Sequence, residues 1–538
     1  MHEDKRSNFI KGAAILTGVS IIVKVISTFY RLPLFAILDA PGRGAFQVTF
    51  SVYALILAIS TSGVPTALSR LISSANAKGN TALVRRYFSA ALPAFAIIGI
   101  VAMLAMFFFA EQLATRLGSS LAAPGIMVLA PAVFFCCIVA VYRGYAQGHE
   151  NMIPTAISQM VEVICKFAIG LGVAVLLVRM NYSSEIVSAG AISGVTIGLA
   201  LCIPLMALYN RKLNRAHPPV SDNVDTPDRI SILRKIFKVS IPISLSVSFV
   251  NAMSLMDNAI VLNRLQSALG YTEVEASAAL GVYALGLTLF TIPPSVVVPV
   301  SVALIPAIAA ALARKNDADA GTITQTSFKL VNLVSMPAAI GIMVLAAPLL
   351  IALYNYRLQL ATTMLIILGA AAFFVCLQFI TTSILQANGH ERVAFITFPI
   401  GAAVRFVLVY ILSGNPNFGI IASPIATLAC FIVIAALNIM FIKIRIKQNI
   451  KLTTVFIKPL LCSLGMGLAA FLTYTGAQWL GYGLLGDGRA AVVIYLVVAV
   501  IISALVYAIL VILTRVITKD DLSHVPRGDK LAKLLRVR

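Results

Sequence analysis

Acidic residues are scarce in this chain: of 538 residues only 20 are Asp or Glu, against 41 Lys or Arg, and charged residues of both signs make up 11%. Hydrophobic residues make up 60% and mean hydropathy is +0.96. A water-soluble core of this length would not need so much apolar sequence. The composition excludes a soluble globular protein and implies an all-α polytopic membrane protein. Cysteine is sparse: Cys136, Cys137, Cys165, Cys202, Cys376, Cys430 and Cys462 all fall in apolar spans without metal-ligand spacing, and read as small core residues. The five histidines are equally scattered, which leaves no zinc site. Nucleophile-elbow, phosphate-loop and zinc-protease patterns are missing too, so the chain does not read as an enzyme and no metal or cofactor is expected. The first apolar stretch lacks a small-residue cleavage site and reads as a retained span, not a removable signal.

What is present is a succession of about 14 apolar spans, the first starting near residue 10 and the seventh near residue 236. The net charge of +21 suggests nucleic acid until the basic residues are located. With both termini inside, about 30 Lys and Arg are cytoplasmic, about 6 lie in outer loops and about 5 lie within spans. The basic residues therefore report topology and contact with membrane lipid, and nucleic acid is excluded as a partner.

The chain also echoes itself. At a shift of 236 residues, Val64–Asn80 (VPTALSRLISSANAKGN) aligns with Val300–Asn316 (VSVALIPAIAAALARKN). At a shift of 241, Gln147-Gly148-His149-Glu150 matches Asn388-Gly389-His390-Glu391. Both map one span onto the sixth following it, which predicts two six-span lobes in the same orientation with a cavity between them. Residues 1–209 form the N-terminal lobe on this reading, 210–230 a cytoplasmic linker, and 231–446 the C-terminal lobe. Two added spans fill 447–516, and 517–538 is a basic cytoplasmic tail. Pro33, Gly63, Pro65, Pro293, Pro294, Pro299 and Pro306 mark the spans expected to break or hinge.

A cation near the bilayer centre is costly and seldom faces lipid, so cations inside spans are the first candidates for a site. These are Lys24, Arg31, Arg70, Lys166 and Arg405, against two acids, Glu162 and Asp257. Lys24 and Arg31 are seven residues apart, two helical turns, and share a face. Lys24, Lys166 and Arg405 fall near mid-span, whereas Arg31 and Arg70 lie nearer span ends, where long side chains snorkel. Arg143, at the inner end of the fourth span, has the same ambiguity. Glu162 and Lys166, at i and i+4, are spaced to neutralise one another, and Asp257 and Arg405 are a second pair to consider. The excess of cations favours an anionic substrate, and phosphate suits Lys and Arg as charge-assisted donors.

The opening KGAAILTGVSIIVKVISTFYRLPLFAIL, the stretches GVPTALSRLISSANAKGN and LIPAIAAALARKN, and MDNAIVLNRL at Met256–Leu265 resemble the bacterial lipid II flippases of the MurJ type, within the polysaccharide-export branch that includes sporulation proteins. The resemblance covers nearly the whole chain. It implies two six-helix lobes in a V, with two last helices forming a groove for a polyprenyl tail. It further implies alternating access in the bacterial cytoplasmic membrane, and an undecaprenyl-pyrophosphate-linked cell-wall precursor as substrate. The division or elongation machinery is the implied protein partner, and membrane potential or a monovalent cation the coupling source. Lys24 and Arg31 match the family's cavity cations on the first helix. The family's arginine is missing from Tyr283-Ala284-Leu285-Gly286-Leu287, a charge that Arg405 would supply instead. A sodium site would have Asp257 as its only acid within a C-lobe span. Another lipid-linked glycan, a multidrug exporter and a non-transporting scaffold are the competing readings, and the few cavity acids argue against drug cations.

Overall fold

In lipid every backbone N–H and C=O must find a partner within the protein, and a helix satisfies them locally. The computed structural model describes residues 18–514 except 20, 21, 24, 25, 28, 62, 217–227, 314–316, 447–451 and 487. Lys24, the basic tail and most of the 210–230 linker therefore lie outside the described residues. The described residues are helical throughout, without a strand. Twelve helices among them are long and apolar enough to cross a membrane. The expected first span runs over positions outside the described residues, and the seventh, from residue 236, falls on the helix Arg229–Leu269, which is not among the twelve, so the structure supports 12 of the expected 14.

The chain divides into two compact units, Met1–Ala284 and Leu285–Arg538. The first contains a helical stretch over 29–37, then α1 (Ala40–Thr61), α2 (Gly63–Ala77), α3 (Thr81–Phe108), α4 (Ala110–Arg116), α5 (Ala123–Gly148), α6 (Ile153–Cys165), α7 (Leu171–Arg179), α8 (Ser184–Ala216), α9 (Arg229–Leu269) and most of α10 (Glu273–Phe290). The division falls inside α10, well after the linker. Side-chain chemistry sets the helix ends. Asn80 Oδ1 accepts from the Leu83 amide at 2.8 Å, capping α3, and Asp228 caps α9. Gly270, in the left-handed region at φ 71°, stops α9.

Val64, Leu68 and Ile72 of α2, Val84 and Ala91 of α3, Ala140 and Val141 of α5, and Ile232 and Ile236 of α9 share one buried cluster. A polar seam joins α9 to α1: Ser244 donates to the Ile59 carbonyl at 2.7 Å, and Asn258 donates to Ser51 Oγ at 2.9 Å. Towards its far end, Gln266 donates to the Gly118 carbonyl at 2.6 Å, and Glu273 accepts from the Ser120 and Leu121 amides. Gly281 lies so close to the Ala40 carbonyl that a Cβ there would overlap it. Gly281→Val is accordingly expected to cost about 1 to 3 kcal/mol through overpacking, read as a lower unfolding temperature of the purified protein. An unchanged temperature would show that α1 and α10 part easily.

The second unit holds the end of α10, then α11 (Ile292–Ala313), α12 (Asp317–Val344), α13 (Ala346–Tyr354), α14 (Gln359–Ala387), α15 (Ala394–Ser413), α16 (Ala422–Arg445), α17 (Leu452–Leu485) and α18 (Arg489–Leu513). Its core joins Phe328 and Val331 of α12 to Ile380 and Ile384 of α14, Ile442 of α16 and Val455 of α17. The two last helices pack on each other, and α17 also lies against α12, where Asn332 donates to the Val455 carbonyl at 3.1 Å. Arg489 donates to the Ala352 and Leu353 carbonyls, both at 3.0 Å, and so satisfies the C-terminal end of α13. Of the prolines expected to break or hinge their spans, Pro33, Pro65, Pro299 and Pro306 lie within helix, and the Pro293-Pro294 pair follows a break. The eighth span is interrupted at Thr291, ahead of Pro293 and Pro294.

Candidate functional site

Phe46, Phe50 and Tyr53 follow one another at i, i+4 and i+7 along α1 and therefore line one face of it. Phe46 and Phe50 are stacked with centroids 5.8 Å apart, and Phe50 and Tyr53 are also 5.8 Å apart. Two cations converge on this aromatic face. The Arg31 guanidinium carbon sits 4.4 Å from the Phe50 centroid, and Lys166 Nζ lies 4.7 Å from the same ring and 5.1 Å from Tyr30. Lys166 is only 8% exposed, and Tyr30, Phe46, Phe50, Tyr53, Leu129, Ile192 and their neighbours close round it without leaving room for a water molecule. A desolvated ammonium on an aromatic face gains about 2 kcal/mol from the ring quadrupole.

Local backbone geometry puts Lys166 there. Residues Lys166–Gly170 form a π-turn between α6 and α7, a wider turn that is common at functional sites. Gly170 lets this turn press on α8, since a Cβ there would stand 2.5 Å from the Ala191 carbonyl oxygen. The same carbonyl accepts from the Tyr30 hydroxyl at 3.0 Å. The π-turn and the ring beneath Lys166 are thus anchored at one point on α8.

Glu162 does not neutralise Lys166, although the i, i+4 spacing allowed it. Its carboxylate accepts from Arg143 Nη2 at 3.2 Å and from the Tyr53 hydroxyl at 2.9 Å, and Arg143 Nε donates to Ser158 Oγ at 2.8 Å. Arg143 on α5 and Tyr53 on α1 hold both carboxylate oxygens, so the acid is committed to joining three helices. Among the described residues no acid lies within ion-pair distance of Lys166. The arrangement is a cationic, aromatic-backed interior suited to an anionic group and not to a drug cation.

The other sequence candidates are dispersed. Lys24 lies outside the described residues. Arg70 is exposed midway along α2, Asp257 is buried on α9 in the first unit, and Arg405 is half-buried on α15 in the second. The structure therefore brings together Arg31, Lys166 and Glu162 and adds Tyr30, Phe50, Tyr53 and Arg143. The aromatic spacing on α1 was a usable signal for Phe50 and Tyr53. Arg43, also buried, has a local role, with Nε donating to the Leu38 carbonyl at 2.8 Å. No group of three or more His, Cys, Asp or Glu among the described residues is gathered as a metal would require.

Comparison with known proteins fits this geometry. An uncharacterised membrane protein of Bacillus subtilis, YabM, is 28% identical over 99% of this chain and 98% of its own length. Lipid II flippase MurJ of the same organism is 24% identical, covering 75% of this chain and 77% of the relative. A solved structure of lipid II flippase MurJ in an inward closed conformation superposes with a TM-score of 0.65 at 16% identity, over 91% of this chain and 99% of that one, which establishes the shared fold. The MatE description matches residues 242–411. The polysaccharide biosynthesis protein description matches residues 9–312, more than half of the sequence, and this multi-pass membrane chain belongs to that family.

Proposed function

We propose that this chain is a flippase that carries an undecaprenyl-pyrophosphate-linked peptidoglycan precursor, lipid II, from the inner to the outer leaflet by alternating access. The observation carrying this reading is the convergence of Arg31 and Lys166 on the Phe50 ring while the one neighbouring acid is engaged by Arg143. Lys24, seven residues before Arg31 in the sequence and outside the described residues, is the third cation of this reading. The pyrophosphate binds these cations and the sugar-peptide head crosses with it. The polyprenyl tail stays in lipid along the last two helices. No bond is made or broken. The chain sits in the bacterial cytoplasmic membrane with both termini inside. An interior-negative potential draws the unloaded cationic protein back, since a full charge crossing 100 mV is worth about 2.3 kcal/mol.

The test is leaflet accessibility of labelled lipid II in cells depleted of this protein and rescued with wild type or Lys24→Ala. Inner-leaflet accumulation reversed by wild type but not by Lys24→Ala is the expected result. Unchanged lipid II would move the assignment to another lipid-linked glycan, a reading that the polysaccharide biosynthesis match supports and in which the same cations serve the same phosphate. Full rescue by Lys24→Ala would retire the cationic mechanism.

A further inference from the structure

One face of α1 meets α9 and α10 through small and polar residues. Ala40, Gly44, Gln47 and Ser51 recur at intervals of three and four and so share that face. The Ala40 carbonyl lies against Gly281, and Gly44 lies so close to the Ser277 carbonyl that a Cβ would overlap it. Ser51 accepts from Asn258 of α9. Between these contacts Gln47 is buried, and its Oε1 finds no hydrogen-bond partner among the described residues. Burying that oxygen unpaired opposes closure of the seam, because water would satisfy it once the helices parted.

At the end nearest Ala40 the seam is fastened by the turn that joins α4 to α5. Residues 116–121 sit in the corner between the end of α9 and the start of α10. Gln266 donates to the Gly118 carbonyl at 2.6 Å and Asn263 to the Arg116 carbonyl at 3.3 Å. Ser119 and Ser277, both fully buried, share a hydrogen bond at 3.0 Å. Gly118, in the left-handed region at φ 83°, leaves room for Leu262, which a Cβ would meet at 2.8 Å. Two acids begin α10 and they act differently. Glu275 accepts from the Thr272 amide at 2.8 Å and so serves its own helix start. Glu273 accepts instead from the Ser120 and Leu121 amides, the first of them 153 positions away.

The other end of α9 is packed in the opposite manner, with Ile232 and Ile236 fully buried in an apolar cluster. Parting that end would expose hydrocarbon to water. Parting the end at the turn exchanges hydroxyl, amide and carboxylate hydrogen bonds for similar ones to water, at little net cost. We infer that the 116–121 turn is a releasable latch, which holds the α9–α10 corner against α1 with Glu273 and Gln266 as its fastenings and lets go when the cargo leaves. The inference rests on the alternating-access reading above, whose topology puts this end of α9 at the outer surface.

The closing experiment locks the latch and, separately, loosens it. The Ser119 and Ser277 hydroxyls are near enough that Ser119→Cys with Ser277→Cys is expected to form a disulfide. Once mass spectrometry confirms the bond, lipid II translocation by the reconstituted full-length protein is expected to fall at least about tenfold, and reduction to restore it. Loosening is read without any substrate. Gln47→Cys is labelled in intact cells with a membrane-impermeant maleimide, against a background of the seven native cysteines. Glu273→Ala combined with Gln266→Ala is expected to speed that labelling at least about threefold. Undiminished translocation with the disulfide formed, or labelling that the double variant leaves unchanged, overturns the latch. If the double variant does not fold, Glu273→Ala alone is read in the same way, since it leaves the Thr272–Glu275 contact in place. Reduced protein that fails to move lipid II, with labelling still faster in the loosened variant, would overturn the transport reading and leave the latch standing.

Discussion

Lys166→Met is expected to remove most transport while leaving the protein at least as stable as wild type. Methionine is similar in length to lysine, and its thioether packs well against aromatic rings, so the seat on Tyr30 and Phe50 stays filled. Burying an ammonium without an acid partner opposes folding, and the neutral side chain relieves that penalty. A charge-assisted contact to a phosphate oxygen is worth about 1.5 to 3 kcal/mol, so losing it slows translocation at least about tenfold if it acts in the rate-limiting step. Reconstituted protein assayed for lipid II translocation, alongside its unfolding temperature, separates the two effects. Transport at the wild-type rate would remove Lys166 from the site. A lower unfolding temperature would show that the ammonium itself holds the helices together.

Glu162→Ala is expected to act in the opposite way, with its main effect on stability. Arg143 and Glu162 have side-chain exposures of 8% and 16%, so removing the carboxylate leaves a largely buried guanidinium without its counter-charge. Breaking such a pair from one side costs about 3 to 5 kcal/mol, whereas replacing both partners with apolar residues of similar volume is often neutral. The double variant Arg143→Met with Glu162→Met should therefore recover most of the stability lost by Glu162→Ala. Chemical denaturation of the three proteins reads this directly. A double variant as unstable as Glu162→Ala would mean that the Tyr53 hydroxyl, which also loses its acceptor, is the more important partner.

The parts of this molecule that depend on local chemistry are legible in its sequence. The Pro293-Pro294 pair lacks the amides needed to continue a helix, and the eighth span breaks just before it, at Thr291. The echoed Gln147–Glu150 and Asn388–Glu391 segments both form the corner after a long helix, each with a residue in the left-handed region, Glu150 in one and Gly389 in the other. The candidate site is only half legible. Cations inside apolar spans announce themselves by their desolvation cost, which is how Arg31 and Lys166 were found. Sequence spacing within one helix says nothing about what a neighbouring helix presents. Tyr53 is 109 positions from Glu162 and Arg143 is 19, yet these residues, not Lys166 four positions away, satisfy the carboxylate.

The π-turn at Lys166–Gly170 has a consequence for how this protein can diverge. A turn closed at i+5 instead of i+4 contains one residue more than a regular turn, so in evolutionary terms it is a tolerated single-residue insertion. Deleting one residue between Lys166 and Gly170 would restore a continuous α-helix while α6 and α7 kept the faces they present now. Only the side chains within the turn would change direction, the lysine among them. A homologue shorter by one residue at this point could thus keep the whole scaffold and yet lack the buried ammonium on Phe50. In an alignment, a one-position gap here would separate proteins that handle their cargo differently more sharply than any substitution in the surrounding helices.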